Sequence, residues 1–360
     1  MKIRKHRPDL AGWGITVRCN LSCPHCYSSA KRNARDELST LECFGIIDEM
    51  VEMGVKVIGW TGGEPLLRDD LEDLIAYARE TGNIRSGITT NGILLDEKRA
   101  KSLKKAGVAS IQISLDGSTP ARNRKIRLAK ESDFEKIIEG IKICNKLDMK
   151  VHMAMLLGEE NINDAEDFIR LAGSLGVKMI RFCCFVPSGH GSKDFVQERL
   201  LFNKKLPALK ALVQKYIESE DPLVLFDPGF GPTPPDYYYH PCIAGVSFFY
   251  LSHDGSVYPC TSLLDDKFVV GNIKERSLMD LWHDPRMIAI SSFPRREITG
   301  HCRQCEYFQV CRGACRGITY AHTGDLRASL PTCLNCVSDQ AAEVENILSS
   351  ASAPNKICKS

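Results

Sequence analysis

Three cysteines, Cys19, Cys23 and Cys26, fall within the stretch Val17-Arg-Cys-Asn-Leu-Ser-Cys-Pro-His-Cys-Tyr27. A closed cubane [4Fe–4S] cluster takes four thiolates, so three leave one iron without a protein ligand. An open iron can bind a small molecule and reduce it. Three structural cysteines, or part of a zinc site, are the other readings that this short spacing leaves standing. Further along, Trp60-Thr-Gly-Gly-Glu-Pro65 pairs two glycines, which let backbone approach a ligand, with Glu64, which can accept hydrogen bonds from an ammonium. Thr89-Thr90-Asn91-Gly92 and Ile113-Ser-Leu-Asp-Gly117 add small polar side chains that an ordinary turn or cap would also explain.

The chain holds sixteen cysteines, three near the start and eight between Cys242 and Cys336. A secreted disulfide scaffold would be shorter and would carry a signal sequence. In a reducing compartment, clustered cysteines read as metal ligands held as thiolates. The second group runs Cys242, twelve residues, Gly255, four residues, Cys260, then Cys302-x2-Cys305-x5-Cys311-x3-Cys315, seventeen residues and Cys333. Zinc is the competing reading here, because the Cys302/Cys305 and Cys333/Cys336 pairs also suit a tetrahedral ion. Cys43, Cys144 and Cys358 read as helix or tail residues without a role. Cys183 and Cys184 end a strand, so alternation points one of them inward.

The elements that must position these groups alternate between β-like and helical runs. Strands are expected at Gly14–Arg18, Val55–Thr61, Ile84–Thr90, Val108–Leu115, Lys150–Leu156 and Lys178–Cys184. Between them, helices are expected near residues 41–51, at Leu71–Glu80, Glu97–Ala106, Phe134–Leu147 and Asp164–Leu175. The first opens on a capping box, Ser39 to Glu42, with Leu41, Phe44, Ile47, Met50 and Val51 at helical spacing. Six β/α units imply a parallel sheet whose right-handed crossovers curl it into most of a barrel. Sites in such folds lie at the C-terminal strand ends, where the cysteine triad, Gly62-Gly63-Glu64, Asn91 and the Ser114/Asp116 pair all fall. Beyond Pro187 the regularity breaks. A helix near Leu206–Glu218 precedes a Pro-, Gly- and Tyr-rich linker or lid, Asp227 to Pro241, and Val337–Leu348 reads as a closing helix.

The C-x3-C-x2-C triad after strand one, with Gly62-Gly63-Glu64 after strand two, resembles the radical S-adenosylmethionine (radical SAM) enzymes. The spacing from Cys242 to Cys333 resembles their SPASM extension. The resemblance implies an α/β fold: a lead of 1–13, a partial (β/α)6 core of 14–186 and a bridging helix and linker of 187–241. A cysteine-rich SPASM domain of 242–336 and a helix and tail of 337–360 complete it. It implies that Cys19, Cys23 and Cys26 hold a [4Fe–4S] cluster whose open iron binds SAM. His25, Gly62, Gly63, Glu64, Asn91, Ser114, Asp116 and Arg127 would contact SAM. At Arg127 the family often has Arg-Gly; here Leu128 replaces the glycine, and Arg124 is a rival. The extension implies two auxiliary clusters, one on Cys242, Cys260 and Cys315 and one on Cys302, Cys305, Cys311 and Cys333. The first lacks the further cysteine that relatives often carry between the Cys242 and Cys260 positions, so its fourth iron is either open or bound by Cys336.

The resemblance implies reductive SAM cleavage, hydrogen abstraction and an electron donor such as ferredoxin or flavodoxin. Its substrate leans toward a tetrapyrrole, for side-chain removal such as decarboxylation or deacetylation in haem biosynthesis, because no ~80-residue leader-recognition module precedes strand one. Oxidation or cross-linking of a ribosomal peptide is the alternative. A non-enzymatic iron–sulfur electron carrier would leave Gly62-Gly63-Glu64 and Ser114/Asp116 without purpose. The net charge of +2 gives no case for nucleic acid, and no apolar run approaches the ~20 residues of a membrane span. A cytoplasmic protein working anaerobically is expected.

Overall fold

The computed structural model of the chain describes residues 7–28, 36–194, 197, 205–232, 242–291 and 293–335. Its first strand, β1 (Leu10–Thr16), alternates Gly12 and Gly14 with Trp13 and Ile15. The large side chains face the helices, where Trp13 stacks on Trp60 of β2 (Val57–Gly62) with ring centroids 5.2 Å apart. The strand starts earlier than Gly14 and stops before Arg18. The Gly/Trp/Gly/Ile alternation carries the pleat, and pairing to β2 ends at Thr16.

Four more parallel strands follow: β3 (Arg85–Thr90), β4 (Val108–Ser114), β5 (Val151–Leu157) and β6 (Met179–Cys184). Helices α1 (Thr40–Met53), α2 (Leu71–Gly82) and α3 (Glu97–Ala106) link the first four strands. α4 (Pro120–Arg127) and α5 (Glu131–Lys146) link β4 to β5, and α6 (Ala165–Ser174) links β5 to β6. The capping box forms as expected: Ser39 Oγ accepts from the Glu42 N–H at 3.3 Å, and Glu42 Oε2 accepts from the Ser39 N–H at 2.7 Å. The buried stripe of α1 is Cys43, Ile46, Ile47, Met50 and Met53, while Leu41 is 80% exposed. Of the expected stripe, Ile47 and Met50 are buried and Phe44 and Val51 pack half-buried against the core, so only Leu41 falls outside it.

α4 is absent from the sequence expectations because Ala121-Arg-Asn-Arg-Lys125 has no apolar period. Thr119 caps it, Pro120 occupies its first turn, and only Asn123 and Ile126 are buried. Four short strands were also unforeseen. β7 (Leu223–Phe226) extends the parallel run beyond β6, following the expected helix, here Leu206–Tyr216. β8 (Phe248–Leu251) pairs in parallel with the other edge of β1, and β9 (Ser256–Tyr258) and β10 (Gly271–Asn272) add antiparallel partners. The strand order is β10-β9-β8-β1-β2-β3-β4-β5-β6-β7. One sheet thus carries both the β/α units and the start of the cysteine-rich region.

Of the Asp227–Pro241 linker, residues 233–241 lie outside the described residues, as do the Val337–Leu348 helix, Cys336 and Cys358. Among the described residues, no helix is long and apolar enough to cross a membrane.

Candidate functional site

The loop after β1 places Cys19, Cys23 and Cys26 at the C-terminal rim, half-buried and outside any disulfide. Two backbone N–H groups shape it: Cys26 donates to Cys23 O at 3.2 Å, and Leu21 donates to the Cys19 thiol at 3.4 Å. The Cys23 thiol lies 3.6 Å from Arg127 O, and Cys26 Sγ lies 3.3 Å from Ser28 Oγ. Burial pushes the Cys23 thiol up to about 12, against the pull of the Arg127 charge, and burial also raises Cys19. Thiols buried like this become thiolates when a metal's charge replaces the proton.

Gly62 and Gly63 let the ends of β1 and β2 touch. A Cβ on Gly62, whose φ is +131°, would lie 2.2 Å from Thr16 O, and one on Gly63 would lie 2.1 Å from Arg18 O. Gly63 and Glu64 instead donate backbone hydrogen bonds to those two carbonyls, each at 2.7 Å. Glu64 is fully buried and clasps the next strand. Its Oε1 accepts from Thr90 Oγ1 at 2.6 Å and Leu66 N at 3.1 Å, and its Oε2 accepts from Asn91 N at 2.8 Å. Burial raises its carboxyl, and the three donors oppose that rise. A carboxylate offers about four acceptor sites, so roughly one remains for an ammonium. Asn91 then donates through Nδ2 to Asn20 Oδ1 at 2.7 Å, tying the third strand end to the cysteine loop.

Asp116, also fully buried, is the second hub. Its Oδ1 accepts from Leu156 N at 2.7 Å, its own N–H donates to Asn123 Oδ1 at 2.9 Å, and Asn161 Nδ2 donates to its carbonyl at 3.3 Å. Its Oδ2 stands 2.7 Å from Arg127 Nε and 3.5 Å from His25 Nε2, in neither case with hydrogen-bond alignment. Burial opposes the Arg127 charge, yet Asp116 and the three triad thiols outweigh it and hold its pKa above the usual value. Burial lowers His25 to about 4, leaving a neutral ring between the cysteines and Asp116. Arg127 rather than Arg124 faces the triad: Arg124 is exposed one turn back on α4. Leu128, where the resemblance expects glycine, caps α4 in the left-handed region at φ 57°. Ser114 ends β4 opposite Ala154, half-buried on the same rim.

Asp116 Oδ2 and Arg127 Nε face each other as a buried ion pair without hydrogen-bond alignment, beside the triad. A pair so placed fits a polar ligand carrying both donors and acceptors. Three unpaired thiols with N–H donors and an adjacent cation fit an iron–sulfur cluster. Among the described residues, no three His, Cys, Asp or Glu side chains close on a single ion. A cluster interposes its own irons and sulfides, so it takes thiols more widely spread than a zinc ion does.

In the cysteine-rich region, Cys315 caps the helix Arg316–Thr323, its thiol accepting from Ile318 N at 3.5 Å. The Cys242 thiol accepts from the Arg316 backbone, and the Cys260 thiol accepts from Ser262 N at 3.4 Å. Cys302, Cys311 and Cys333 are buried, and burial raises the Cys305 thiol. The sequence reading marked Thr90 only as part of Thr89-Thr90-Asn91-Gly92 and did not single out Asn20, Asn123 or Asn161, which help to hold the hubs. Tyr27 was equally unforeseen. Its hydroxyl bonds Thr61, and burial raises it to about 12.

Residues 13–172 match the radical SAM superfamily, and residues 242–306 match the iron–sulfur cluster-binding domain SPASM. The chain is 30% identical to the Fe-coproporphyrin III synthase of Methanosarcina barkeri, over 92% of this chain and 89% of that protein. It is 27% identical to the mycofactocin maturase MftC of Mycolicibacterium smegmatis, over 94% of this chain and 86% of that one. Its fold is similar to that of Streptococcus suis SuiB bound to the precursor peptide SuiA. The TM-score is 0.71 at 18% identity, over 90% of this chain and 75% of that one.

Proposed function

The chain belongs to the radical SAM superfamily, in the branch carrying a SPASM domain, and from that premise we propose that it oxidises a peptide or protein side chain at the barrel rim. It is an enzyme with a SAM-binding [4Fe–4S] cluster and auxiliary iron–sulfur clusters. When bound, these groups supply the electron that splits SAM and the 5′-deoxyadenosyl radical that takes a hydrogen atom from the substrate. Cys19, Cys23 and Cys26 hold the first cluster. The remaining acceptor site of Glu64 and the Gly62–Gly63 backbone receive the SAM ammonium, while Arg127 receives its carboxylate. Asn91, Ser114 and Asp116 line the path to the ribose, and neutral His25 stacks near the adenine. The observation that carries this reading is the convergence of the triad, the Glu64–Asn91 clasp and the Asp116–Arg127 pair on four successive strand ends.

The relatives named mycofactocin maturase MftC support a peptide substrate. The second reading, tetrapyrrole side-chain removal, is favoured by the relative named Fe-coproporphyrin III synthase.

The initiation step is tested by anaerobic incubation with SAM and dithionite. The wild-type chain yields 5′-deoxyadenosine. Replacing Cys19, Cys23 and Cys26 together by Ala abolishes it and removes about four irons per chain; cleavage retained in that variant overturns the assignment. Iron coproporphyrin III, followed by its Soret band, divides the substrate readings. No saturable shift and no loss of CO2 is expected, whereas tight binding with decarboxylation would replace the peptide reading.

A further inference from the structure

The two cysteines that end β6 point to opposite sides. Cys183 shares a face with Arg181, opposite the buried face of Phe182 and Cys184. Cys184 shares the other face with Phe182, which packs on Phe168 of α6 at 6.3 Å between ring centroids. Cys184 is buried, yet the metal-binding sets drawn from the sequence do not use it.

Its surroundings come from the cysteine-rich region. The turn Pro228–Phe230 threads between β6 and the helix Arg316–Thr323. There is no room for a side chain at Gly229: a Cβ there would lie 2.4 Å from Ile318 Cδ1, 2.6 Å from Cys184 Cβ and 2.9 Å from Cys184 Sγ. Ile318 is the residue whose N–H holds the Cys315 thiol. One turn of that helix therefore meets Cys184 on one side. Its other side meets the Cys260 loop, where a Cβ on Gly317 would lie 2.5 Å from Ser262 Cβ. The Arg316 backbone on the same turn holds Cys242.

We propose that Cys184, from the last strand of the β/α units, is the fourth ligand of the auxiliary cluster held by Cys242, Cys260 and Cys315. The inference rests on reading those three residues as cluster ligands. With Cys184 packed against the Ile318 side chain across Gly229, it brings a fourth thiol to the helix turn that Cys315, Cys242 and Cys260 already adjoin, and the helix N-terminus directs N–H donors toward the negative sulfurs. On binding iron, Cys184 gives up its thiol proton to solvent. Ligation from β6 also ties the cluster to the strand whose neighbouring residue, Cys183, lies on the opposite face. It replaces both the open iron and Cys336 as the answer for the missing ligand.

The experiment uses the Cys19/Cys23/Cys26→Ala chain, which removes the one cluster expected to be open. A cubane with only three protein ligands loses its free iron on mild oxidation and becomes [3Fe–4S], with its own EPR signal. Ferricyanide treatment of the parent is expected to give no such signal, and added cyanide to leave the reduced spectrum unchanged. Adding Cys184→Ala is expected to produce the [3Fe–4S] signal and to release about one further iron per chain. Cys184→Ser, which keeps an oxygen ligand and the side-chain size, is expected to retain that iron with shifted g values. Adding Cys336→Ala is expected to change nothing. A [3Fe–4S] signal or a cyanide response in the parent overturns the proposal in favour of an open iron. The same change from Cys336→Ala overturns it in favour of that residue, and an unaltered spectrum in both Cys184 variants overturns it outright. SAM cleavage by the intact triad is measured separately, so failure of the radical SAM reading is distinguishable.

Discussion

The barrel rim and the cysteine-rich region both gather cysteines, but they hold them differently. At the rim, one short loop carries all three thiols, and the protein's own hydrogen bonds fix what surrounds them. Glu64 binds Thr90 and Asn91, Asn91 binds Asn20, and Asp116 binds Leu156 and Asn123. These links join the ends of parallel strands whose ladders position them without any metal. Beyond β10 the thiols sit on one- and two-turn helices and 3-10 turns, such as Phe308–Cys311 and His301–Arg303. Segments this short are not stable by themselves. A sheet-borne site is built before its cofactor arrives, whereas a site on short turns is completed by it.

The sharpest way to break this comparison is to withhold iron. Chain prepared without clusters is expected to be cut by protease within residues 293–335 on the order of tenfold faster than loaded chain, while β1–β6 keep their hydrogen-exchange protection. Equal protection of both regions without iron would show that the cysteine-rich region folds independently of its clusters. The next effect is smaller and belongs to the rim. Asp116→Ala leaves the buried Arg127 guanidinium without its counter-charge and is expected to cost about 3–5 kcal/mol in urea unfolding of the loaded protein. It should spare the auxiliary clusters' EPR signals; loss of those signals would mean that the two regions are coupled. The smallest effect sharpens the role of α4. Leu128 adopts φ 57° and is 58% exposed, so Leu128→Gly relieves left-handed strain with little loss of packing. Strain relief less the unfolded-state entropy of glycine predicts a gain of roughly 1 kcal/mol or less, read as a raised thermal midpoint. Lower stability would mean that Leu128 makes a contact outweighing the strain.

Much of the rim was legible in the sequence because its signals are local. The cysteine spacing, the double glycine and the Ser39–Glu42 box each lie within a few residues, and α3 matches Glu97–Ala106 at both ends. The choice between Arg127 and Arg124 was not legible, since it depends on α4, a helix with no apolar period, and on a carboxylate from β4. The strands β7 to β10 were missed for a related reason. Each spans two to four residues, too few to show alternation, and each exists because a long sheet already offers an edge.

What the sequence determined by itself was the chemistry: which residue types recur at which spacing, hence radical SAM initiation and the need for auxiliary clusters. Hydrophobic alternation likewise determined the six β/α units, because a parallel strand buried on both faces can be read from its own residues. Tertiary structure alone decided which distant groups meet. It turned Glu64 into a clasp between strands two and three, set Arg127 against Asp116, and brought Cys184 beside the helix of Cys315. In sequence those three pairs lie 26, 11 and 131 residues apart. Only the side-by-side pairing of the strands and the packing of the cysteine-rich region against the last of them bring the members of each pair together.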